Sequence, residues 1–314
     1  MTPLRLRMIE DMQLRNLSPE TQRAYVHYIT GLARFYQTSP EQLSLEEIRE
    51  YQLYLINERR YSPESVNGFV AAAKFLYNVT LETPWPEGAL PRARVPHKLP
   101  VVLSANEVTE FFQRLCTIRY RAALMTAYGA GLRVSEVVSL QVGDIDSQRM
   151  LLRVQQGKGK KDRYAMLSPR LLEVLRAWWR AVIYGQVQRV PGPEGAGPVG
   201  RPKALPTDWL FPGWRKGRHM NAESLQTACR EAAQAAGIWK RVTVHTMRHS
   251  FATHLMENGT DIRVIQVLLG HTSILTTARY VAVSPNAIAH VRSPLDGMGP
   301  PPQANLQSKA KTSR

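Results

Sequence analysis

The C-terminal part of the chain contains, at residues 243–280, the stretch TVHTMRHSFATHLMENGTDIRVIQVLLGHTSILTTARY. Its pattern predicts three short helices separated at Gly259 and Gly270, because glycine readily takes the left-handed conformation that ends helices. His245 and Arg248 stand three residues apart at the start of the first helix, so both side chains project from one face. The stretch therefore gathers reactive polar groups into a compact helical segment.

Tyr280 ends this stretch and is the only tyrosine after Tyr184, while His271 directly follows Gly270. A phenol has a pKa near 10 and is a poor nucleophile at neutral pH, but neighbouring cations and imidazoles can activate it to attack phosphorus. Taken singly, a tyrosine is usually a packing residue and a His-x-x-Arg pair is usually a polar helix face. A catalytic interpretation therefore needs support from the rest of the chain.

The chain has 314 residues and a formal net charge of +16, and the excess charge is regional. Residues 1–100 have a net charge of +1, whereas residues 101–314 have a net charge of +15. A basic half beside a nearly neutral half indicates a polyanionic partner, most simply nucleic acid. A basic surface with no ligand is the alternative on charge alone. The length itself predicts about two domains.

The composition also bears on the compartment and on metal binding. The only cysteines, Cys116 and Cys229, make no disulfide framework and no metal-ligand cluster, which is typical of a reducing cytosol. The N-terminus lacks the apolar run of a signal peptide, and no stretch approaches the ~18 apolar residues of a membrane span. We therefore expect a cytoplasmic, nucleoid-associated protein without a membrane partner.

Residues 1–80 are predicted to form an all-helical domain. Ser18, Ser44 and Ser62 each stand where an N-cap is expected, with proline or glutamate in the turn that follows. Apolar residues recur at spacings of three and four behind these caps, and no strand pattern intervenes. The domain is therefore expected to be a small helical bundle.

Residues 81–102 are predicted to form a basic linker between two domains. Their prolines fix φ and remove hydrogen-bond donors, which favours an extended, semi-rigid segment. Arg92, Arg94 and Lys98 make the segment positively charged. These three residues are candidate DNA contacts, although the segment could equally be an ordinary linker.

Residues 103–296 are predicted to form a second domain of α+β type, in which helices surround a small β-hairpin sheet. The hairpin lies within residues 148–167, where two strands flank a turn with the sequence GKGK at residues 157–160. Residues 185–207 are rich in glycine and proline, which predicts a flexible insertion, and residues 297–314 have the composition of a disordered tail. The predicted fold class of the whole chain is mainly α.

Five sequence motifs resemble those of the tyrosine recombinases, the phage-integrase and Xer family, in the order and spacing of that family. The motifs are AGLRVSE at residues 130–136 (first arginine motif), GKGKKDR at 157–163 (hairpin lysine motif), HTMRHS at 245–250 (His-x-x-Arg box), LGH at 269–271 and Tyr280. One motif alone is a weak signal, but five in order are specific. The helical N-terminal domain resembles the SAM-like core-binding domain of the family more loosely.

The resemblance implies six catalytic residues, namely Arg133, Lys158, His245, Arg248, His271 and Tyr280. Planar guanidinium groups suit a phosphodiester because they bind two oxygens at once and stay charged. The lysine on the hairpin would be the general acid for the leaving 5′-oxygen, and the two histidines would bind phosphate oxygens or accept the phenolic proton. Tyr280 would attack and give a 3′-phosphotyrosine.

The resemblance implies further roles around these six residues. Glu136 would orient the site from behind Arg133. Lys160, Lys161 and Arg163 are candidate contacts to the DNA backbone, although GKGKK could also be a solvated turn. The insertion at 185–207 is longer than in compact Xer-like members, and its role is open.

No cofactor is expected, because a phosphotyrosine conserves the bond energy needed for rejoining. A metal site is not expected either, since the histidines near residue 250 do not form a His-Glu-x-x-His pattern. The implied partners are double-stranded DNA recombination sites and further copies of the chain, two per site and four at synapsis. Accessory proteins cannot be read from the residues.

Two other classes of protein share parts of this pattern. A type IB topoisomerase would use the same arginines, lysine and tyrosine, yet would relax DNA without a specific site. A catalytically silent DNA-binding regulator could keep the fold, although five intact motifs speak against it. The sequence favours a site-specific recombinase, or integrase, over both.

Overall fold

The computed structural model describes residues 2–86, 88–96, 99–155, 162–187, 207–215, 217–270 and 277, with side chains described only to residue 182 in the fourth range. Lys98, Lys158, Lys160, Lys161, His271 and Tyr280 lie outside the described residues. Most of the predicted insertion at 185–207 and all of the predicted tail at 297–314 lie outside them as well. Within the described part, no helix is long and apolar enough to cross a membrane.

The chain divides into two compact units, Met1–Lys98 and Leu99–Arg314. The first unit contains α1 (Pro3–Leu14), α2 (Pro19–Tyr36), α3 (Leu45–Asn57) and α4 (Pro63–Phe75), and a π-helical turn (Leu76–Thr80) follows α4. The predicted caps are confirmed, since Ser18, Ser44 and Ser62 each accept a hydrogen bond from the backbone three residues on. These local interactions fix where α2, α3 and α4 begin.

The segment after residue 80 differs from the predicted linker, because its described residues, 81–86 and 88–96, belong to the first unit and pack on it. Leu90 is buried in the core of that unit. The Asn67 side chain donates to the carbonyl of Ala93 and accepts from its N–H, at 2.9 and 2.8 Å. Gln52 Nε2 donates to the carbonyl of Pro91 at 2.9 Å. Side chains of α3 and α4 thus hold the proline-rich segment, which shortens the connection between the units.

The second unit combines seven helices with a small sheet in its described residues. The helices are α5 (Ala105–Gln113), α6 (Ile118–Gly129), α7 (Val134–Val138), α8 (Pro169–Val187), α9 (Ala222–Ala235), α10 (Val244–Glu257) and α11 (Ile262–Leu269). The strands are β1 (Ile145–Asp146), β2 (Leu151–Val154) and β3 (Arg163–Met166), joined in the antiparallel order β1-β2-β3. The two predicted strands are confirmed as β2 and β3, and β1 is an addition.

The helix α10 lies at the centre of the second unit, where it contacts α6, α9 and α11. Ser250 on α10 accepts a hydrogen bond from the N–H of Leu103 at 2.9 Å, which ties the start of the unit to this helix. Gly259 and Gly270 have φ values of +81° and +62°, as expected for residues that end helices. The first two helices predicted in residues 243–280 are therefore confirmed, and most of the third lies outside the described residues.

Candidate active site

Glu136 is the centre of the predicted catalytic residues that the structure describes. It lies in α7, and Arg133 is the residue that precedes this helix. One carboxylate oxygen accepts the N–H of Arg133 at 2.8 Å, and the other accepts Nη1 of the same residue at 2.8 Å. Because the acid three residues into the helix returns to the helix start, the first arginine is fixed by its own turn.

Arg163 reaches the same carboxylate from β3. Its Nη1 and Nη2 donate to Oε1 and Oε2 of Glu136, both at 2.8 Å, in a two-pronged ion pair. Its Nε donates to the carbonyl of Leu268 at 3.2 Å. Only 11% of the Arg163 side chain is exposed. The sequence predicts Arg163 as a contact to the DNA backbone, whereas its guanidinium is here bound to protein groups.

Arg248 enters from α10 and is completely buried. Its Nη1 donates to the carbonyl of Gly131 and its Nη2 to the carbonyl of Leu269, both at 2.6 Å. Nη1 also lies 3.8 Å from a carboxylate oxygen of Glu136. Arg163 and Arg248 thus bind the last two carbonyls of α11, where the negative end of a helix favours cations.

The charges in this guanidinium cluster, defined as Arg133, Arg163 and Arg248 around Glu136, do not cancel. Three cations face one carboxylate, so positive charge remains for an anionic ligand. Burial alone would raise the pKa of Glu136, but hydrogen bonds from Arg163 and from the Arg133 N–H, with the charges of both residues, outweigh it and lower the pKa to about 2. The carboxylate is therefore ionised at neutral pH.

Two glycines leave room for side chains that pack at the guanidinium cluster. Gly131 has a φ of +63°, and a Cβ there would lie 2.5 Å from the ring of Phe251. Gly270 has a φ of +62°, and a Cβ there would lie 2.7 Å from Cδ of Arg163. Glycine is required at both positions, because other residues would combine an unfavourable conformation with a collision.

His245 stands one turn before Arg248 on α10 and remains accessible to solvent. Its ring lies 4.4 Å from the ring of His249, in an edge-to-face arrangement. Partial burial of the ring, and then the positive charges of Arg248 and Arg133, lower the pKa of His245 below its usual value of 6.5. The imidazole is therefore neutral at pH 7 and able to accept a proton.

The structure thus brings together Arg133, Glu136, His245 and Arg248. The roles given to Lys158, His271 and Tyr280 stay predictions, as do the DNA contacts given to Lys160, Lys161 and Lys98, since these six residues are not described. Arg92 and Arg94 are exposed in the first unit, and their predicted DNA contacts also stay untested. Among the described residues, no group of three histidine, cysteine or acidic side chains could hold a metal ion.

The link between Arg163 and Glu136 was not predicted from the sequence. The only signal was the position of Arg163, which follows Asp162 after the glycine- and lysine-rich turn, in a strand whose side chains alternate in direction. From this position alone, the Arg163 side chain could face either the solvent or the core. The pairing joins residues 27 apart in sequence, which no local pattern specifies.

Comparison with known proteins identifies the class of enzyme. Residues 101–287 match the family described as Phage integrase family, and residues 4–87 match the phage integrase N-terminal SAM-like domain. A predicted integrase/recombinase of Sinorhizobium fredii is 45% identical over 94% of this chain and 89% of its own length. The tyrosine recombinase XerA of Thermococcus onnurineus is 31% identical over 90% of each chain.

Two solved structures have a similar fold at low sequence identity. The XerH site-specific recombinase, bound to its difH substrate after cleavage, has a TM-score of 0.64 at 19% identity, over 88% of this chain and 80% of the other. The Tn1549 transposon integrase, in complex with transposon right end DNA, has a TM-score of 0.64 at 16% identity, over 94% and 96%.

These matches define a DNA breaking-rejoining enzyme. The chain belongs to the phage integrase family and is a tyrosine recombinase, or integrase. The resemblance and the fold class predicted from the sequence are both confirmed.

Proposed function

We propose that this recombinase cuts and rejoins DNA strands through a 3′-phosphotyrosine formed at Tyr280, without a metal ion or ATP. The guanidinium cluster carries this proposal. Three arginines held around one buried carboxylate leave positive charge beside a neutral imidazole. This is the arrangement needed to bind a phosphodiester and to stabilise the charge of a phosphorane.

Within the cluster, Arg133 is the side chain that can meet a phosphate directly. It is 21% exposed, its Nη1 is bound to Glu136, and the rest of the fork can face outward. Arg248 is buried behind it, so it contributes charge to the site as it stands and approaches a phosphate oxygen only if the surrounding chain adjusts on binding DNA. His245, next to both, would accept a proton or donate a hydrogen bond to the phosphate.

The remaining catalytic residues would come from chain segments anchored at the cluster. Lys158 belongs to the connection between β2 and β3, whose strands end at the paired residues Val154 and Arg163. Since Arg163 at the start of β3 is bound to Glu136, the strand that follows the proposed general acid in sequence is held at the cluster. Gly270, held beside Arg163 at the end of α11, directly precedes His271 and leads on to Tyr280.

We infer that the substrate is double-stranded DNA carrying recombination sites. The net charge of +15 on residues 101–314 supports a polyanionic partner. XerH and the Tn1549 integrase, which share the fold, are described in complexes with DNA. We further propose that the chain acts as dimers on each site and as a tetramer at synapsis, in the cytoplasm at the nucleoid.

A nicked duplex that traps the covalent intermediate tests the mechanism. Wild-type protein should form a 3′-linked adduct with this DNA in the presence of a chelator and without nucleotide, and Tyr280→Phe should form none. An adduct that persists in Tyr280→Phe, or that appears only with added metal or ATP, would contradict the proposal. Relaxation of a plasmid lacking recombination sites by monomeric protein would instead favour a topoisomerase.

A further inference from the structure

A second basic feature lies in the second unit, outside the catalytic residues. Residues 212–215 and 217–219, here called the 212–219 hairpin, form two short arms that lie side by side just before α9. Pro212 and His219 pair as an antiparallel bridge, and the N–H of Gly213 donates to the carbonyl of Arg218 at 2.6 Å. A Cβ on Gly213 would lie 2.5 Å from the carbonyl oxygen of His219, so the two arms are as close as backbone allows.

The hairpin is braced by the body of the unit. Trp209 Nε1 donates to the carbonyl of Gly217 at 3.0 Å, and Nη2 of Arg119 on α6 donates to the carbonyl of Pro212 at 2.6 Å. The ring of Trp209 also packs edge-on against His219, with centroids 5.3 Å apart. These contacts hold both arms of the hairpin against the rest of the unit.

Its tip carries an indole and two guanidinium groups that face solvent. Trp214 is 93% exposed, in contrast to Trp178, which is buried in the core of the same unit. Arg215 and Arg218 are both exposed, and neither side chain has a hydrogen-bonded or ionic partner among the described residues. A protein gains nothing for its own stability by holding a large apolar ring in water beside two guanidinium groups that have no partner among the described residues.

Beside the tip lies a cleft of about 290 Å³ whose polar lining is cationic. Its lining includes Arg119, Trp214, Arg215, Arg218, Asn221 and Ser224. None of the described residues that line this cleft is acidic, so they leave its positive charge in place. Guanidinium groups, an amide and a hydroxyl are the donors that proteins use for phosphate oxygens.

We propose that the 212–219 hairpin is a contact to the backbone of duplex DNA, in addition to the catalytic residues. Arg215 and Arg218 bind neighbouring phosphates, and Trp214 packs its indole against the deoxyribose between them. An exposed tryptophan alone would suit a protein partner, but the neighbouring arginines and a cleft whose described lining holds no acidic side chain favour a polyanion. The inference rests on the proposed function only in that DNA is the ligand.

Binding to a fluorescent duplex of random sequence, measured by anisotropy at several salt concentrations, tests the hairpin. Arg215→Gln with Arg218→Gln should weaken binding about tenfold and lower the slope of log affinity against log salt by about 1.8, because each phosphate contact contributes about 0.9. Trp214→Ala should weaken binding about fivefold and leave the slope unchanged, since the indole carries no charge.

Arg176→Gln with Arg180→Gln is the matched control, because both arginines are exposed on α8 and the same charge is removed. It should change affinity less than twofold. An equal loss in this control, or an unchanged salt slope in the hairpin variant, would overturn the proposal and leave only general attraction between the unit and DNA.

The trapped-adduct assay separates this inference from the proposed function. At saturating DNA the hairpin variants should still form the Tyr280 adduct, because the hairpin does not touch the reacting phosphate. If wild-type protein forms no adduct but duplex binding depends on the hairpin, the proposed chemistry fails and the DNA contact stands. If adducts form but the hairpin variants bind the duplex as tightly as wild type, only the proposed DNA contact of the hairpin is wrong.

Discussion

Among the acidic residues that the structure describes, Glu136 has the most arginine partners. One buried carboxylate accepts hydrogen bonds from two arginine side chains and lies 3.8 Å from a third. A buried ion network stabilises weakly as a whole, but removing one charge leaves the partners unpaired. We therefore expect removal of this carboxylate to lower the free energy of unfolding more than removal of any one of the arginines.

Glu136→Gln should destabilise the protein by about 3–5 kcal/mol, because three guanidinium groups would then lack a counter-charge. The free energy of unfolding from urea denaturation measures this effect. Glu173→Gln, on the exposed face of α8, is the control and should change stability by no more than about 0.5 kcal/mol. Equal small effects in both variants would mean that the cluster is not a stabilising unit.

The low pKa of Glu136 makes this contribution pH-dependent. Its pKa is about 2 in the folded protein and near 4.5 when the chain is unfolded, so the unfolded state binds a proton more readily. The stabilisation is complete above pH 4.5 and is lost as the pH falls towards 2. The stability gap between wild type and Glu136→Gln should therefore narrow from pH 6 to pH 3 in urea titrations. A gap independent of pH would show that the lost stability is not electrostatic.

At the scale of elements, Arg163 joins β3 to α7 and to the end of α11. Arg163→Lys keeps the charge but cannot bind both carboxylate oxygens in the same plane. We expect the rate of adduct formation on the nicked duplex to fall at least about tenfold, while duplex affinity changes less than about twofold, because positioning rather than phosphate binding is lost.

If Arg163→Lys instead weakens duplex binding and leaves the rate of adduct formation unchanged, Arg163 has the role predicted from the sequence, a contact to the DNA backbone. Arg163→Gln extends the test, since removing a phosphate contact lowers the salt slope of DNA binding by about 0.9, whereas removing an internal ion pair does not. A lowered slope with unchanged adduct rate at saturating DNA would make Arg163 a backbone contact after all.

Gly131, which follows the end of α6, lies directly against Phe251 of α10, so its lack of a side chain allows these two helices to pack closely. Gly131→Ala should cost about 2–5 kcal/mol, combining left-handed strain with displacement of Phe251. Gly237→Ala is the matched control, because Gly237 has a φ of +67° with no atom within 4 Å of a Cβ. It should cost only the strain, about 1–2 kcal/mol in thermal or urea unfolding. Equal costs would mean that the Phe251 contact yields freely.

What could be predicted from the sequence was mainly what is local. The starts of α2, α3 and α4 follow from a serine that caps its own helix within three residues. The ends at Gly259 and Gly270 follow from the backbone preference of one residue type. The pairing of Arg163 with Glu136 and the docking of residues 81–96 depend on contacts between distant segments, which composition and periodicity do not encode. Glu136 was expected to support the site from behind Arg133, but its contacts with Arg163 and Arg248 were not expected.

At the scale of the whole molecule, the connection between the two units is shorter than its proline content suggests. Asn67 binds both backbone groups of Ala93, and Leu90 is buried in the first unit. The exposed side chains of Arg92 and Arg94 therefore belong to a docked segment. Docking lowers the entropy that a free tether would lose on binding DNA, because these arginines are already ordered.

Asn67→Ala should release this segment, since the amide that fixes Ala93 is lost and about 1–2 kcal/mol of stability goes with it. Trypsin should then cleave after Arg92 and Arg94 several times faster than in wild type, as read by mass spectrometry of the fragments. Asn57→Ala, exposed at the end of α3, is the control and should leave the cleavage rate unchanged. Cleavage that is already rapid in wild type, or unaltered in Asn67→Ala, would mean that the segment is a free linker, and DNA binding would then have to order it.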